Sequence, residues 1–334
     1  MRFGHSEVCL DHDTGERHPE SPARVRAIRR ALSRKHGVAY HEADPAPVEA
    51  VEAVHDPEYV ASFREFCAAG GGDWDPDTVA VEATWDAALR SAGLACWAAR
   101  EAMDRPPETE TPFSIGRPPG HHATGDDAMG FCFLNNAAIA AQAALDDLGA
   151  TRVAIFDWDV HHGNGTQDLF YDRGDVFYAS VHEDGLYPGT GDAEETGTGD
   201  GEGTTLNVPL PVGAGDAAYD AVARTVLAPA VERFDPDLFL ISAGFDAHRH
   251  DPISRMRVSS EGYGLLAARV RDLTDRTGAG LGFVLEGGYS LDMLSEGVGT
   301  VHEVFHGREP EEPEGDLDSD IAARIDSARE RHGV

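Results

Sequence analysis

Lysine is almost missing from this chain of 334 residues: Lys35 is the single example, and arginine supplies every other basic side chain. With 60 acidic against 27 basic residues the net charge is −33. Such a surface repels phosphate backbones, so direct nucleic-acid binding, which needs Lys and Arg to displace counterions, is not expected. The same acid excess keeps a protein soluble where salt screens charge, and it points to a salt-loving microbial source. Cysteine is scarce as well. Cys9, Cys67, Cys96 and Cys132 lie far apart without a C-x-x-C pair, which speaks against a zinc finger or a dithiol redox motif and for reduced, mostly buried thiols. No run of about 18 apolar residues occurs, and no charged-then-apolar leader opens the chain. Neither a membrane span nor a secretion signal is read, and a cytoplasmic location is the expectation.

What is present is a regular alternation. Helical patterns cover about 79–103, 134–148, 217–233 and 259–277, and short apolar runs at 153–158, 176–182, 206–210, 238–243 and 281–286 read as strands. Earlier, Ser21-Pro22 opens a helix that Gly37 closes, with Val25, Ile28 and Leu32 as its apolar stripe. Its other face, Arg24, Arg26, Arg29, Arg30, Arg34 and Lys35, reads as a solvated surface paired to local acids. Alternating strand and helix predicts an α/β fold with a parallel sheet covered on both faces, in which ligands sit outside the carboxyl ends of the strands. No composition break divides residues 1–334, so a single domain is expected, ending in an acidic, proline-rich stretch (308–316) and a last short helix. The glycine-rich run 185–204 lacks G-K-[ST] and carries Asp192, Glu194, Glu195, Asp200 and Glu202. Those carboxylates repel phosphate, which makes it a rim loop rather than a phosphate cradle.

The chemistry concentrates where strands end. After 153–156 the chain reads D-W-D-V-H-H-G-N, placing Asp157, Asp159, His161, His162 and Asn164 within eight residues; Asp246 follows 238–243, and E-G-G-Y, with Tyr289, follows 281–285. R-P-P-G-H-H-A (117–123) follows the short apolar Phe113-Ser114-Ile115. Burying two aspartates beside apolar neighbours is costly unless a cation pairs with them. Asp159 and His161, two residues apart at a strand end, point to one side. With Asp246 they make three N/O ligands and leave a fourth position open, the pattern of a catalytic zinc. The adjacent imidazoles of His121 and His122 suit proton transfer, with Asp157 and Asn164 available to orient them. Tyr289, after two glycines, offers a neutral O–H to a developing oxyanion.

At these residues the sequence resembles the histone deacetylase family, in particular its class II members and the acetylpolyamine amidohydrolases. The likeness runs through H-D-T-G-E-R-H-P-E-S-P-A-R (12–24), R-P-P-G-H-H-A (117–123), G-F-C-F-L-N-N (130–136), F-D-W-D-V-H-H-G-N-G-T (156–166), Y-P-G-T-G (187–191), G-F-D-A-H (244–248) and E-G-G-Y (286–289). It implies an arginase/deacetylase-like three-layer α/β/α domain around a parallel sheet of about eight strands. It implies Zn2+ on Asp159, His161 and Asp246. His122 then stands as general base and acid, His121, backed by Asp157, as its electrostatic partner, and Tyr289 as the group that polarises the acetyl carbonyl. Asn164 stands where many class I members carry aspartate, so the division of proton transfer between His121 and His122 stays open. The resemblance also implies a potassium site near Asp157, Asp159, His161, Ser180 and Val181, and a narrow channel lined by Gly130, Phe131 and Tyr187. Such a slot suits the uncharged, extended stem of acetyl-lysine. The expected reaction is hydrolysis of the acetyl amide to free lysine and acetate.

Three other readings compete with this one. A deacetylase of small acetylated polyamines needs a carboxylate gate for a second amine, and at the family's gate position, after Asp251-Pro252, this chain has Ile253. A ureohydrolase needs a second acid-rich cluster, which F-D-A-H-R-H-D-P (245–252) does not supply. A non-enzymatic acyl-lysine binding module would not need the intact ligands, the histidine pair and Tyr289 together.

Overall fold

The computed structural model of the chain describes residues 1–15, 17–104, 110–313 and 317–334. Glu16 of the first motif and residues 314–316 of the acidic stretch lie outside them. The strands are β1 (Arg2–Gly4), β2 (Ala39–His41), β3 (Gly71–Asp73), β4 (Val79–Val81), β5 (Pro112–Ser114), β6 (Val153–Asp157), β7 (Val176–Glu183), β8 (Thr205–Leu210), β9 (Leu238–Ala243) and β10 (Gly280–Leu285). β3 and β4 pair as an antiparallel hairpin. The other eight form one parallel sheet in the order β2-β1-β5-β10-β9-β6-β7-β8, as the alternation of elements implies. The helices are α1 (Ala23–Leu32), α2 (Val48–Glu52), α3 (Pro57–Ala68), α4 (Thr84–Asp104), α5 (Asn136–Asp147), α6 (Asn164–Phe170), α7 (Asp216–Val222), α8 (Ala228–Phe234), α9 (Ser260–Thr277), α10 (Leu291–Val304) and α11 (Ser319–His332).

The period-2 geometry of the central strands divides the core between two layers. Ile155, Leu240 and Val284 pack with the alanine faces of α4 and α5, including Ala95, Ala99, Ala138 and Ala141. Their neighbours Phe156, Ile241 and Phe283 pack on the opposite side with Tyr263 and Leu266 of α9 and Val298 and Val301 of α10. Each fully buried aliphatic or aromatic side chain of this kind contributes about 1.5–3 kcal/mol, so the sheet is a rigid platform for whatever its ends carry. Helix starts are set locally: Asn135 accepts from Ala138 N at α5, and Ser259 accepts from Gly262 N at α9.

The structure corrects several sequence expectations. The helix predicted from 79 begins only at Thr84, because Val79–Val81 pairs with β3. The run 217–233 holds α7 and α8 joined by a π-turn at Ala223–Leu227, just before Pro229, whose ring nitrogen has no N–H to donate back. α10 escaped the pattern because G-V-G-T (297–300) reads as a breaker. Gly297 is there for space: a Cβ would fall 2.5 Å from the Phe245 ring. α1 ends at Leu32, well short of Gly37. Its basic face is not uniform either. Arg29 and Lys35 pair with Glu7 and Glu303, whereas Arg26, Arg30 and Arg34 are exposed and form no ion pair among the described residues. Arg24 is fully buried. Val25, Ile28 and Leu32 are buried as expected.

Candidate active site and metal centre

The sheet order places β5, β10, β9 and β6 side by side, and the four segments that carry the chemistry leave their carboxyl ends together. Asp159 and His161 lie in the turn after β6, Asp246 after β9, His121 and His122 after β5, and Tyr289 after β10. One ligand atom each from Asp159, His161 and Asp246 lies within 4.8 Å of the other two, and among the described residues this is the one cluster with that geometry. His161 Nδ1 is 2.9 Å from Asp159 Oδ1 and 3.4 Å from Asp246 Oδ2.

The donors are fixed from behind. Asp159 accepts from His161 N on Oδ1 and from Gly287 N on Oδ2, while Asp246 Oδ1 accepts from Val160 N. Asp246 Oδ2 is buried and has no hydrogen-bond partner. An orphaned carboxylate oxygen beside a second carboxylate and an imidazole is a donor set for a divalent ion of the zinc type. Gly287 makes the cradle possible, since a Cβ there would fall 2.0 Å from Asp246 Oδ2 and 2.6 Å from Asp159 Oδ2. Burial, reinforced by the charge on Asp159, raises Asp246 above the usual carboxylate range. Asp159 is pushed up by burial too, but His121 and His161 outweigh it and hold it low.

The two histidines differ in their partners. His121 Nδ1 lies 2.9 Å from Asp157 Oδ2, and although burial pulls the ring down, Asp157 and Asp159 hold it up to about 10. His122 Nδ1 lies 2.8 Å from Asn164 Oδ1; burial and the charges on His121 and His161 push it well below its ordinary value. With Nδ1–H donated to Asn164, His122 is a neutral ring with a free Nε2 lone pair. Its ring centroid is 4.1 Å from that of His121 and 5.7 Å from that of His161.

The sequence profile of the histone deacetylase domain matches residues 18–305. The chain belongs to the histone deacetylase family. It is 37% identical over 332 residues to the chloroplastic histone deacetylase 10 of Oryza sativa subsp. japonica, covering 92% of this chain and 74% of the relative. It is 42% identical over 310 residues to the histone deacetylase-like amidohydrolase of Pseudomonas aeruginosa (86% and 81% covered). A probable deacetylase of Archaeoglobus fulgidus is 41% identical over 293 residues (86% and 80%). Among solved structures, the crystal structure of the HDA15 HD domain superposes with a TM-score of 0.90 at 34% identity, covering 99% of this chain and 93% of that one. The fold is therefore the α/β deacetylase fold, and the protein is a hydrolase of the deacetylase and amidohydrolase kind.

In this deacetylase the residues assigned to the channel lie around the histidines. Tyr187 stands edge-on to His122 at 5.2 Å and to His161 at 6.4 Å, and Phe131 stands edge-on to Tyr289 at 5.7 Å. Phe131 adopts φ 69°, unusual for an aromatic residue, and is held by its N–H to Thr78 Oγ1 and by the His18 ring at 4.8 Å. Gly130, with φ 55°, leaves room for His122 and Tyr187: a Cβ would fall 2.4 Å and 3.0 Å from them. Ile253 is half-buried at the end of the loop that starts at Asp246. Ser180 pairs with Asp157 across β6 and β7, which brings Ser180 and Val181 beside the β6 turn; Ser180 Oγ is 2.9 Å from His182 Nδ1.

Residues without an assigned role complete the site. Glu286, fully buried, accepts from Gly120 N and His121 N on Oε2 and from Ser242 Oγ on Oε1, so the strand that delivers Tyr289 also grips the histidine loop. Burial is the main reason its carboxyl rises to about 7. Arg24, expected at the surface, donates to the carbonyls of Glu286 and Gly288 and lies 5.0 Å over the Tyr289 ring. It pairs with Glu20, whose carboxylate also takes the bidentate fork of Arg117. These residues lie within quoted motifs, yet their roles depend on contacts spanning up to 264 positions, between Arg24 and Gly288.

Proposed function

We propose that this deacetylase is a zinc-dependent hydrolase that removes the acetyl group from Nε-acetyl-lysine in proteins. The observation that carries the reading is the buried set Asp159, His161 and Asp246, one oxygen of which has no hydrogen-bond partner, beside a neutral His122 that the Tyr187 ring faces edge-on. Asp159, His161 and Asp246 hold the ion, which when bound supplies an acidified water and positive charge for the oxyanion. His122 takes the proton at Nε2 while Asn164 fixes its tautomer, and His121, held by Asp157, keeps positive charge beside it and serves the leaving amine. Tyr289, whose hydroxyl burial keeps neutral, donates its O–H to the developing oxyanion. Gly130, Phe131 and Tyr187 enclose the aliphatic stem, with Ile253 at the gate. Asp157, Asp159, His161, Ser180 and Val181 are the proposed potassium ligands, a structural cation behind the site.

A second reading, an acetylpolyamine deacetylase, is favoured by one feature: Asp192, Glu194, Asp200 and Glu202 are exposed on the 185–204 loop that also carries Tyr187. A polycation would be drawn to it. The test offers the zinc-loaded protein, in high salt, an acetyl-lysine peptide and an acetylated polyamine side by side and follows acetate. A larger kcat/KM on the peptide is the expected result; the reverse moves the substrate class to polyamines. Release from neither would sink the deacetylase assignment for this chain.

A further inference from the structure

After Asp246 the chain makes a closed loop: Asp251 N donates to His248 O, Val258 N to Ala247 O and Arg249 N to Val258 O. Ser254 Oγ also returns to the carbonyl of Asp246. The loop therefore carries a metal-site residue at one end and the gate residue Ile253 about midway. Between them Asp251, only 7% exposed, turns its carboxylate inward and accepts three backbone N–H groups. Ile253 N lies 3.2 Å from Oδ1, while Tyr289 N and Ser290 N lie 2.7 Å and 2.9 Å from Oδ2.

The Tyr289 turn needs such an anchor. It follows two glycines, Gly288 with φ 116°, and so has little stiffness of its own. Arg24 holds its carbonyls and covers the ring, but the N–H side has no other clamp described by the structure than Asp251. Ser290, at the start of α10, makes no side-chain cap hydrogen bond; Asp251 holds the two N–H groups just before the helix, and a negative group there suits the helix start. An oxyanion donor loses its effect when displaced by a fraction of its hydrogen-bond length.

Resting on the deacetylase reading above, we infer that Asp251 is the positioning residue for Tyr289: through one carboxylate it fixes the Tyr289 hydroxyl over the metal triad and couples that placement to the Ile253 gate. A residue that merely capped α10 would lower stability without acting through the phenol.

The test is a double-mutant cycle on the full-length, zinc-loaded protein: Asp251→Ala, Asp251→Asn and Tyr289→Phe, singly and combined, with kcat, KM, zinc content and thermal midpoint measured on each. Asp251→Ala is expected to lower kcat on the order of 10²-fold, with KM and zinc content nearly unchanged. Asp251→Asn, which keeps one acceptor oxygen and the fold, is expected to fall between it and the unmodified protein. In the Tyr289→Phe background either change should cost less than about threefold more, the signature of two residues acting as one unit. Equal losses in both backgrounds, or a loss that tracks zinc content, would overturn the positioning role while leaving the deacetylase reading intact. An unmodified protein that releases acetate from neither substrate would remove both.

Discussion

The pocket at the carboxyl ends of β5, β6, β9 and β10 and the cleft between α1 and α10 are both lined by charged side chains and histidines, and they differ in how those charges are satisfied. The cleft is a cavity of about 810 Å³ bordered by Arg34, Lys35, His302, Glu303 and Arg308. Its central acid, Glu303, already holds Lys35 and Arg308. In the pocket, Asp157, Asp159 and Asp246 are buried with His121, His122 and His161, and Asp246 Oδ2 has no hydrogen-bond partner. Volume therefore does not mark the site. Converging donors whose burial is incompletely compensated do, because a buried carboxylate short of hydrogen bonds is costly to keep unless something binds it.

The sharpest way to break this contrast is to remove a pocket ligand. Asp246→Ala should abolish zinc retention, measured by metal analysis after dialysis, and acetate release with it; a variant that keeps both would mean that the triad is not the metal site. Next in size, Tyr289→Phe should lower kcat on the order of 10² to 10³-fold while zinc content stays constant, and an undiminished kcat would remove Tyr289 from the chemistry. Acid should act on both regions. His55, beside the histidine loop, uses both nitrogens, one toward Thr124 O and one toward Asn135 N, and burial holds it down to about 4. Its folded value lies below the ordinary 6.5, so the stability it contributes is present above about pH 6.5 and is lost as pH falls toward about 4. Chemical denaturation across that window should show the decline, and His55→Gln should lessen it, with His162, His248, His302 and His332, which burial also holds down to about 4, supplying the rest. In the cleft, Glu303, held low by Lys35, keeps its pair charged through the same window, while burial holds His302 down to about 4 as well. The smallest effect belongs to the cleft: Lys35→Ala breaks a pair whose partners are about a third exposed, and should cost less than about 1 kcal/mol with acetate release unchanged.

Much of this was legible in one dimension. The strand-end positions of Asp157, Asp159, His161, Asp246 and Tyr289 follow from short apolar runs that stop at polar residues, a pattern local enough to read. The parallel sheet follows from alternation. Arg24 was misread because its helical spacing puts it beside exposed arginines, and nothing nearby announces that Glu20, Glu286 O and Gly288 O await it. In the sequence Asp251 marks only where the gate lies. Its partners are Tyr289 and Ser290, almost forty residues on, and a backbone N–H leaves no trace in a residue's identity. α10 is hidden by Gly297 and Gly299, and the purpose of Gly297, clearance for Phe245, exists only once the layers are packed.

The order of residues alone determined the family, the strand–helix rhythm and the types of donor at each strand end, since these depend on neighbours a few positions apart and on side-chain chemistry. The packed sheet alone decided which ends meet, which aspartate oxygen is left without a partner, and which buried arginine and carboxylates hold the Tyr289 turn. Those outcomes depend on strand order and on contacts across hundreds of positions, where distance in sequence carries no information about distance in space.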